Sequence, residues 1–542
     1  MFTRRNIIKG VEKEQVFLMP INVMEWLPKN DVVYVILAIL DLLNFSAFLS
    51  KYRSDGVGSA FYDPRCMVGI ITYAMIRGEQ SSRKIEISCR YDIGYRIVGQ
   101  GLQPDHSTIF RFKQKNSKEI KGIFKQLARI IVESKITSIG ILAIDGTKIG
   151  ANASLSANRK RSYIESELCR ILDESLKQDE QETIDGTTPD VTTYNLPEEL
   201  ATNKKRKEVL QIALDKLNER QKIEEEEQKS RILDRQKEEE ETGKKKRGRK
   251  PSETLPVPSP DDKVNTTDPT SKIMSTTHGY IQGFNGQIVV TEDQFVLAVA
   301  LTDAQNDKNQ LQPVMNELNE MLESAKTDES PEVVIADSGY CSMQTILSEN
   351  PNGPKLYIAT SKEWKFQVVG PDEAFRVRLD DVCRPRSGTC GPTTPELASI
   401  GAEVWHSYLD RTKPATQQEV CWEIMGARVR SPSGREIYWF RKIMVEPVFG
   451  NFKHNMRFRV FSLKGLDKCE GEFALAAFCH NMIKIKCGNL LGKLLTSFRV
   501  CSQSSAYNGL FHHFRDSLKV VNYFSFQILS VGFTRFHLIS SV

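Results

Sequence analysis

The chain of 542 residues lacks any long apolar run. Its longest, Val32–Leu40, ends at Asp41 after nine residues, whereas a membrane-spanning helix needs about 18. Arg4 and Arg5 are not followed by the apolar stretch and small-residue cleavage site of a secretory signal. The sequence therefore predicts a soluble, cytoplasmic protein with no membrane partner.

The sequence also lacks a regular cysteine pattern and a phosphate-binding loop. Its 11 cysteines are scattered without a repeating spacing, which favours reduced thiols over a disulfide framework. No segment of the GxxxxGK[ST] type occurs, so dependence on ATP is not expected. The 74 basic and 69 acidic residues give a net charge of +5, which is too small to identify a polyanionic partner.

The near-neutral total hides an uneven distribution of charge. Basic residues concentrate at Arg111–Lys115, Lys244–Lys250 and Arg441–Lys453, and acidic residues concentrate within 162–272. Clusters of basic residues are the electrostatic footprint of a nucleic-acid-binding protein. The distribution is therefore compatible with a DNA enzyme, although the total is not informative.

Helical patterns dominate residues 1–135. Asp31 is placed to cap an apolar stretch through Leu43, and Asp105 or Ser107 is placed to cap a second stretch, Ile109–Val132. This region is predicted to be an all-helical domain.

The basic face of the Ile109–Val132 stretch suggests a role for this domain. It carries Arg111, Lys113 and Lys115 and follows a turn that contains Gly99 and Gly101. Two helices joined by a glycine-containing turn, with a basic face, are typical of a helix-turn-helix reader of DNA. A helical bundle with an ordinary solvated face is the alternative interpretation.

Residues 162–272 form a segment of different composition. Long charged runs and few aromatic residues predict a partly helical or disordered insertion. The short amphipathic stretches in it are marked by Ile164, Leu168, Leu172 and Leu176, and by Leu210, Leu214 and Leu217.

The insertion ends in a basic run whose centre is Arg247-Gly248-Arg249. This centre resembles an AT-hook, in which extended arginines lie in the narrow minor groove of A·T-rich DNA. Arg247 and Arg249 are therefore predicted to bind DNA. A charge run that only keeps a linker solvated is the alternative.

The remaining patterns predict a mixed sheet with helices packed on it, an α/β fold. Its predicted strands are Ile139–Ile144, a hairpin of Tyr280–Thr291 and Phe295–Thr302, Glu332–Ala336 and Leu356–Ala359, with a helix at Gln310–Leu322.

Three acidic residues occur in settings that suit catalysis. Asp145 and Asp337 each follow a buried strand, and Glu446 lies in a later basic segment. Each alone has an ordinary explanation, as a turn residue or a helix-start charge. Together they form a set of hard oxygen ligands that suits Mg²⁺ or Mn²⁺. Two such ions would support phosphodiester cleavage or transfer.

These motifs resemble the Asp-Asp-Glu (DDE) transposases of bacterial insertion sequences, in the branch with a Tyr-Arg-Glu-Lys signature. The signature positions are Tyr438, Arg441 or Lys442, Glu446 and Lys453. The motifs that carry the resemblance are Ala143–Lys148, Val334–Tyr340 and Val445–Gly450, supported by Pro104–Thr108, Thr267–Pro269, Gly283–Gln287 and His480-Asn481.

The resemblance implies an RNase H-like catalytic core and a division of the chain around it. Residues 136–161 and 273–346 would form the first parts of the core, and 436–487 its last helices with Glu446. Residues 347–435 would hold a β-rich insertion, in which Phe366–Val369, Phe375–Leu379 and Val420–Val429 alternate like strands. Residues 488–542 form a tail of unknown role.

The resemblance also implies the activity and its partners. A transposase would cleave DNA at the ends of its element and transfer the strand into target DNA, using two Mg²⁺ or Mn²⁺ ions at Asp145, Asp337 and Glu446. The helices of 1–135 would bind the terminal inverted repeats, Tyr438, Arg441, Lys442 and Lys453 would contact phosphates, and a dimer would pair the ends at the bacterial nucleoid. A nuclease that does not transpose and an inactive DNA-binding derivative are the alternatives.

Overall fold

The structure is a computed structural model that describes residues 26–52, 61–185, 203–242, 258–349 (without 278, 326 and 328), 353–360 and 417–501. The chain divides into two compact units, Met1–Leu491 and Gly492–Val542. Within 417–501 the last helix is Leu491–Cys501. No helix in the described ranges is long and apolar enough to cross a membrane.

Helices form the described part of the N-terminal region, as predicted. Asp31 caps the first of them, because its side chain accepts a hydrogen bond from the amide of Val33 at 2.9 Å. The helices are α1 (Val32–Leu42), α2 (Ser46–Leu49), α3 (Pro64–Ile76), α4 (Ser82–Tyr91), α5 (Ile93–Val98), α6 (His106–Lys115) and α7 (Ser117–Glu133).

The single helix predicted over Ile109–Val132 is in fact two helices. Asp105 caps α6 by accepting from the amide of Thr108 at 2.9 Å. Asn116 then ends α6, since both its backbone amide and its side-chain amide donate to the carbonyl of Phe112. Asparagine side chains compete for backbone groups in this way, so the chain leaves the helical path before α7 begins.

The charged insertion contains two helices and one strand of a small two-stranded sheet. Helices α8 (Arg161–Asp185) and α9 (Asn203–Thr242) share an apolar cluster with strand β3 (Lys263–Asn265), which pairs antiparallel with β2 (Asn158–Lys160). The buried members of the cluster are Ile164, Leu168, Ile171, Leu210, Ala213, Leu217 and Val264.

Two details of the insertion correct the sequence prediction. Leu172 is 43% exposed and Ile171 takes the buried position, because the helical repeat of 3.6 residues drifts from a strict spacing of four. The short helix predicted around Leu210–Leu217 extends over 40 residues in α9. Arg247 and Arg249 lie outside the described residues.

The predicted mixed sheet is confirmed. The strands are β1 (Ile141–Gly150), β4 (Lys272–Thr276), β5 (Gly279–Thr291), β6 (Val296–Thr302), β7 (Val333–Ala336) and β8 (Lys355–Ile358). Their order in the sheet is β4-β5-β1-β7-β8, and β6 also pairs with β5. Strand β1 pairs antiparallel with β5 but parallel with β7, and β7 pairs parallel with β8.

Helices cover both faces of this sheet. Successive residues of a strand point to opposite faces. On one face Val289 lies in a cluster with α10 (Leu311–Ala325), and on the other a Cβ at Gly286 would lie 2.6 Å from the ring of Phe473. The remaining helices are α11 (Met343–Leu347), α12 (Gln417–Arg430), α13 (Pro432–Gly450), a π-helical turn (Asn451–Asn455) and α14 (Leu466–Cys487), which carries Phe473.

The prediction of a β-rich insertion is wrong where the structure describes it after β8. Val420–Val429 lies within helix α12. Consecutive residues at the centre of this helix are buried, from Met425 to Val429, so its apolar residues do not show a helical period. Arg428 donates to the carbonyl of Leu356 on β8 at 2.8 Å. Phe366–Val369 and Phe375–Leu379 lie outside the described residues.

Candidate active site

The two aspartates lie side by side at one edge of the sheet. Ile144 of β1 is paired with Ala336 of β7 in the parallel register. Asp145 is the next residue of β1, and Asp337 is the first residue after β7. The carboxyl ends of parallel strands meet at the same edge of a sheet, where ligands of α/β folds bind. Strand β1 continues to Gly150, so Asp145 lies within the strand and does not end it as predicted.

Arg441 joins these two aspartates. Its Nη1 lies 2.8 Å from Oδ2 of Asp145, and its Nη2 lies 3.8 Å from Oδ1 of Asp337. Helix α13 brings the guanidinium to the sheet edge, where its side chain is only 16% exposed. One cationic group therefore lies between two carboxylates at this edge.

Burial and charge act in opposite directions on Asp145. Burial raises its pKa to about 6, although Arg441 and the amide of Gly146 lower it; Asp337 and Asp307 raise it further. For Arg441, burial lowers the pKa, but the negative charges nearby, Asp145 first, outweigh this and the net pKa is raised. The charged forms of Asp145 and Arg441 thus stabilise each other.

The other predicted signature residues lie around this ion pair. The guanidinium of Arg441 is 6.0 Å from the ring centre of Tyr438, and burial raises the pKa of Tyr438 to about 12. Lys442 is exposed, so Arg441 and not Lys442 contacts the acids.

The π-helical turn places Lys453 near Asp145. Burial lowers the pKa of Lys453, Arg459 lowers it further, and the neighbouring Asp145 opposes both. The turn is wider than an α-helix, so the spacing of an ideal helix does not describe the path from Glu446 to Lys453.

Glu446 lies on α13, five residues after Arg441, and is exposed. Its charge contributes to the raised pKa of Arg441, after the charges of Asp145 and Asp337. Within the described residues no group of three or more His, Cys, Asp or Glu side chains is arranged to hold a metal ion. The structure thus brings together two of the three predicted acids.

The donor chemistry of the site nevertheless suits a hard divalent cation. Asp145 and Asp337 present carboxylate oxygens on two sides of one positive group, and carboxylate oxygens are the ligands that Mg²⁺ and Mn²⁺ prefer. Burial raises the pKa of Asp145, and a bound cation would favour its charged form.

A fourth acid, Asp307, lies beside the pair and was missed by the sequence interpretation. It follows β6 in a loop, and its charge contributes to the raised pKa of Asp145. A Cβ at Gly146 would lie 2.8 Å from its Oδ1, and one at Gly339 would lie 3.2 Å from its Oδ2. The glycines after Asp145 and Asp337 were the available signal, because glycine is required where another group approaches the backbone closely.

A hydrogen bond to the carbonyl of Ile443, three residues before Glu446, anchors helix α13. Pro447 has no amide hydrogen, so the carbonyl of Ile443 loses its helical donor; Nε2 of Gln294, from the β5–β6 turn, donates to it at 2.8 Å. Nε2 of His480 in turn donates to the carbonyl of Gln294 at 2.8 Å. The hairpin turn therefore links α13 to α14.

The basic residues predicted to bind DNA on α6 separate into two groups. Arg111 and Lys115 are exposed. Lys113 is 5% exposed, and its Nζ lies 2.8 Å from Glu472 and 2.7 Å from Ser462. The prediction for Lys113 is therefore corrected, because its ammonium is engaged inside the molecule.

Three family models match the chain. A transposase domain (DUF772) matches residues 21–115, and two models described as a transposase DDE domain match residues 252–349 and 411–486. Together they show a DDE transposase of the insertion-sequence type, and the mixed sheet flanked by helices is consistent with an RNase H-like core. The DDE matches include Asp337 and Glu446. No curated protein and no solved structure matches the chain significantly.

Proposed function

We propose that this transposase cleaves DNA at the ends of its element and joins the released 3′ hydroxyl to a target phosphodiester. The observation that carries the proposal is the pair of carboxylates around one cationic group, with Asp145 within β1 and Asp337 directly after β7. Glu446 completes the acidic set from α13. We assign the chain to the branch with the Tyr-Arg-Glu-Lys signature.

Asp145, Asp337 and Glu446 would hold two Mg²⁺ ions, or Mn²⁺. Such ions, when bound, activate an attacking oxygen and stabilise a leaving oxygen at phosphorus. Arg441, which lies against both aspartates, neutralises part of the negative charge of the pair.

The chain's own cations would hold the DNA backbone at the site. Arg441 carries a planar guanidinium that can contact phosphate through two N–H groups. Lys453 lies near Asp145 and supplies a second cation. Tyr438 keeps its proton because burial raises its pKa to about 12, so its hydroxyl can donate a hydrogen bond to a phosphate oxygen. Lys442, exposed on the same helix, would contact phosphates further from the acids.

Other regions would recognise and pair the ends. We propose that Arg111 and Lys115 of α6 contact the terminal inverted repeats, that Arg247 and Arg249 contact A·T-rich DNA, and that the chain acts as a homodimer in the synaptic complex at the nucleoid. Replacing Arg247 and Arg249 with alanine should weaken binding to A·T-rich DNA and flatten its dependence on salt. The exposed Lys229 and Lys237 of α9, replaced together, provide the matched control.

Cleavage of DNA that bears the element's own ends, in Mg²⁺, tests the triad. We expect Asp145→Asn, Asp337→Asn and Glu446→Gln each to slow cleavage by on the order of 1,000-fold, because the lost charge stabilisation amounts to several kcal/mol. Glu436→Gln is the control, since Glu436 is an exposed acid on the same helix. If the three variants cut like the parent, the triad is wrong.

A second assay separates transposition from simple nuclease activity. Ends that are already nicked are supplied together with target DNA. A transposase joins them to the target, whereas a nuclease with the same core gives no joined product. An inactive DNA-binding derivative would bind the ends and neither cut nor join them.

A further inference from the structure

We infer that Asp307 is a positioning residue that fixes the turn carrying Asp337 relative to the strand carrying Asp145. The inference rests on the function proposed above, because it concerns the same pair of acids. Asp307 lies between β6 and α10 and is separate from the three-acid motif. Its role follows from what its two carboxylate oxygens contact.

One oxygen of Asp307 holds two amides of β5. Nδ2 of Asn285 donates to its Oδ1 at 2.7 Å, and Nε2 of Gln287 donates to the same atom at 2.8 Å. Gln287 is the partner of Gly146 in the register with β1. Because one acceptor fixes both NH₂ groups, the orientation of each amide is set, and the carbonyl oxygen of Gln287 points away from Asp307.

That carbonyl oxygen reaches the segment that carries Asp337. The hydroxyl of Tyr340 donates to Oε1 of Gln287. Tyr340 closes a short 3₁₀ turn, Ser338–Tyr340, and its backbone amide donates to the carbonyl of Asp337 at 3.0 Å. The ring of Tyr340 is fully buried in the core, which limits its movement. Hydrogen bonds thus run from Asp307 through Gln287 and Tyr340 to Asp337.

The carboxylate of Asp307 also lies directly against both acid-bearing segments. A Cβ at Gly146, the residue after Asp145, would lie 2.8 Å from Oδ1. A Cβ at Gly339, two residues after Asp337, would lie 3.2 Å from Oδ2. One carboxylate therefore lies between the two segments, and their separation depends on it.

Two substitutions at this position separate hydrogen bonding from charge. Asp307→Asn removes the negative charge but retains an Oδ1 that can accept from both amides, because both hydrogen bonds end on one oxygen. Asp307→Ala removes the acceptor. For a positioning role, cleavage at saturating DNA should be about 100-fold slower in Asp307→Ala, the loss that a displacement of about 1 Å produces. The KM for DNA should not change, and Asp307→Asn should restore most of the rate.

The other end of the hydrogen-bonded chain provides an independent variant. Tyr340→Phe removes only the hydroxyl donated to Gln287, and should also lower kcat without raising KM. In the double variant the losses should not add, because both substitutions interrupt one network. Asp303→Ala is the matched control: Asp303 follows the same strand, but it pairs with Lys272 at 2.9 Å and is 36% exposed. It should cleave at the parental rate.

Each other outcome would overturn the inference. Equal losses in Asp307→Ala and Asp307→Asn would assign the effect to charge, and a rise in KM at unchanged kcat would assign it to DNA binding. If Asp307→Ala does not fold, Tyr340→Phe decides, and an unchanged kcat contradicts the positioning role.

A measurement that needs no activity keeps this inference separate from the proposed function. In hydrogen–deuterium exchange of the full chain, Asp307→Ala should speed exchange of a peptide that contains Ser338–Tyr340, and Asp307→Asn should not. If the parent does not cleave DNA but shows this pattern, the proposed function fails and the positioning role stands. Unchanged exchange in Asp307→Ala would contradict the role even in an active enzyme.

Discussion

The N-terminal helices and the charged insertion are joined to the sheet in different ways. The N-terminal helices share buried charges with the core: Lys113 of α6 is paired with Glu472 of α14, and the side chains are 6% and 0% exposed. Lys121 of α7 adds a bridge between Glu317 of α10 and Glu470 of α14, at 2.8 and 2.9 Å. Folding of the N-terminal helices is therefore coupled to folding of the sheet and the helices packed on it.

The insertion, by contrast, has an apolar cluster of its own. The cluster consists of residues from α8, α9 and β3, and does not include residues of the main sheet. The two ends of the insertion meet, since the amide of Arg161 donates to the carbonyl of Asp262 at 2.8 Å. The N-terminal helices are therefore integral to the core, whereas the insertion is a separable module.

The strongest test of this comparison is Lys113→Met. Burial raises the pKa of Glu472, but Lys113 and Ser462 outweigh it and lower the pKa below its usual value, so Glu472 is charged in the fold. Removing Lys113 leaves this charge unpaired, at a cost of about 3–5 kcal/mol. Urea unfolding measures the loss. Lys115→Met, exposed on the same helix, should change little, and Lys113→Met combined with Glu472→Met should recover most of the stability.

The pH dependence of stability tests whether His480 of α14 is buried in its neutral form. Burial lowers the pKa of His480 to about 4, below the ordinary value of about 6.5. As the pH falls through this window, the unfolded chain binds a proton that the native chain does not, so the parent loses stability, in total roughly 3 kcal/mol. His480→Gln should lack this loss. The difference between the two urea midpoints from pH 7 to 4 measures it, with His454→Gln, at an exposed site, as the control. A constant difference would contradict a buried neutral His480.

An ion pair within the insertion should matter less than the one at Lys113. Arg206 lies 2.5 Å from Glu167, but Glu167 also pairs with Arg170 at 2.7 Å, and these side chains are partly exposed. Arg206→Met should therefore destabilise the protein by less than about 1 kcal/mol. If Arg206→Met lowers the free energy of unfolding as much as Lys113→Met does in the same urea experiment, the N-terminal helices and the insertion do not differ in this way.

The smallest expected effect is that of removing the insertion altogether. Replacing residues 163–260 with a short glycine-serine loop should leave the core folded, because the ends are already adjacent and each doubling of loop length costs only about 0.6 kcal/mol. The losses are the apolar partners of Val264 on β3 and the hydrogen bonds that Arg220 donates to Pro269 and Arg161 donates to Asn218. Thermal unfolding followed by circular dichroism is the measurement. A variant that no longer folds would show that the insertion is part of the core.

The sequence predicted what depends on local pattern. The strand before Asp145, the β5–β6 hairpin and the cap at Asp31 follow from apolar runs, turn residues and spacing along a few positions. Helix α12 was misread because its centre is buried, so a helical pattern of apolar and polar residues is missing. The family resemblance, rather than periodicity, supplied the catalytic assignment of the acids.

Features that depend on distant partners could not be predicted in this way. Lys113 resembles its exposed neighbours until Glu472, 359 residues later, is placed beside it. Asp307 is an ordinary loop acid until the sheet brings Gly146 and Gly339 against it. In both cases the chemistry of the residue is decided by a contact that no local spacing records.

The hydrogen bond between Gln294 and the carbonyl freed by Pro447 limits where residues can be inserted into the chain or deleted from it. It is made at one register of α13 only, because shifting the helix by one residue would present a carbonyl that already has its helical donor. Insertions or deletions between Ser431 and Pro447 should therefore be poorly tolerated.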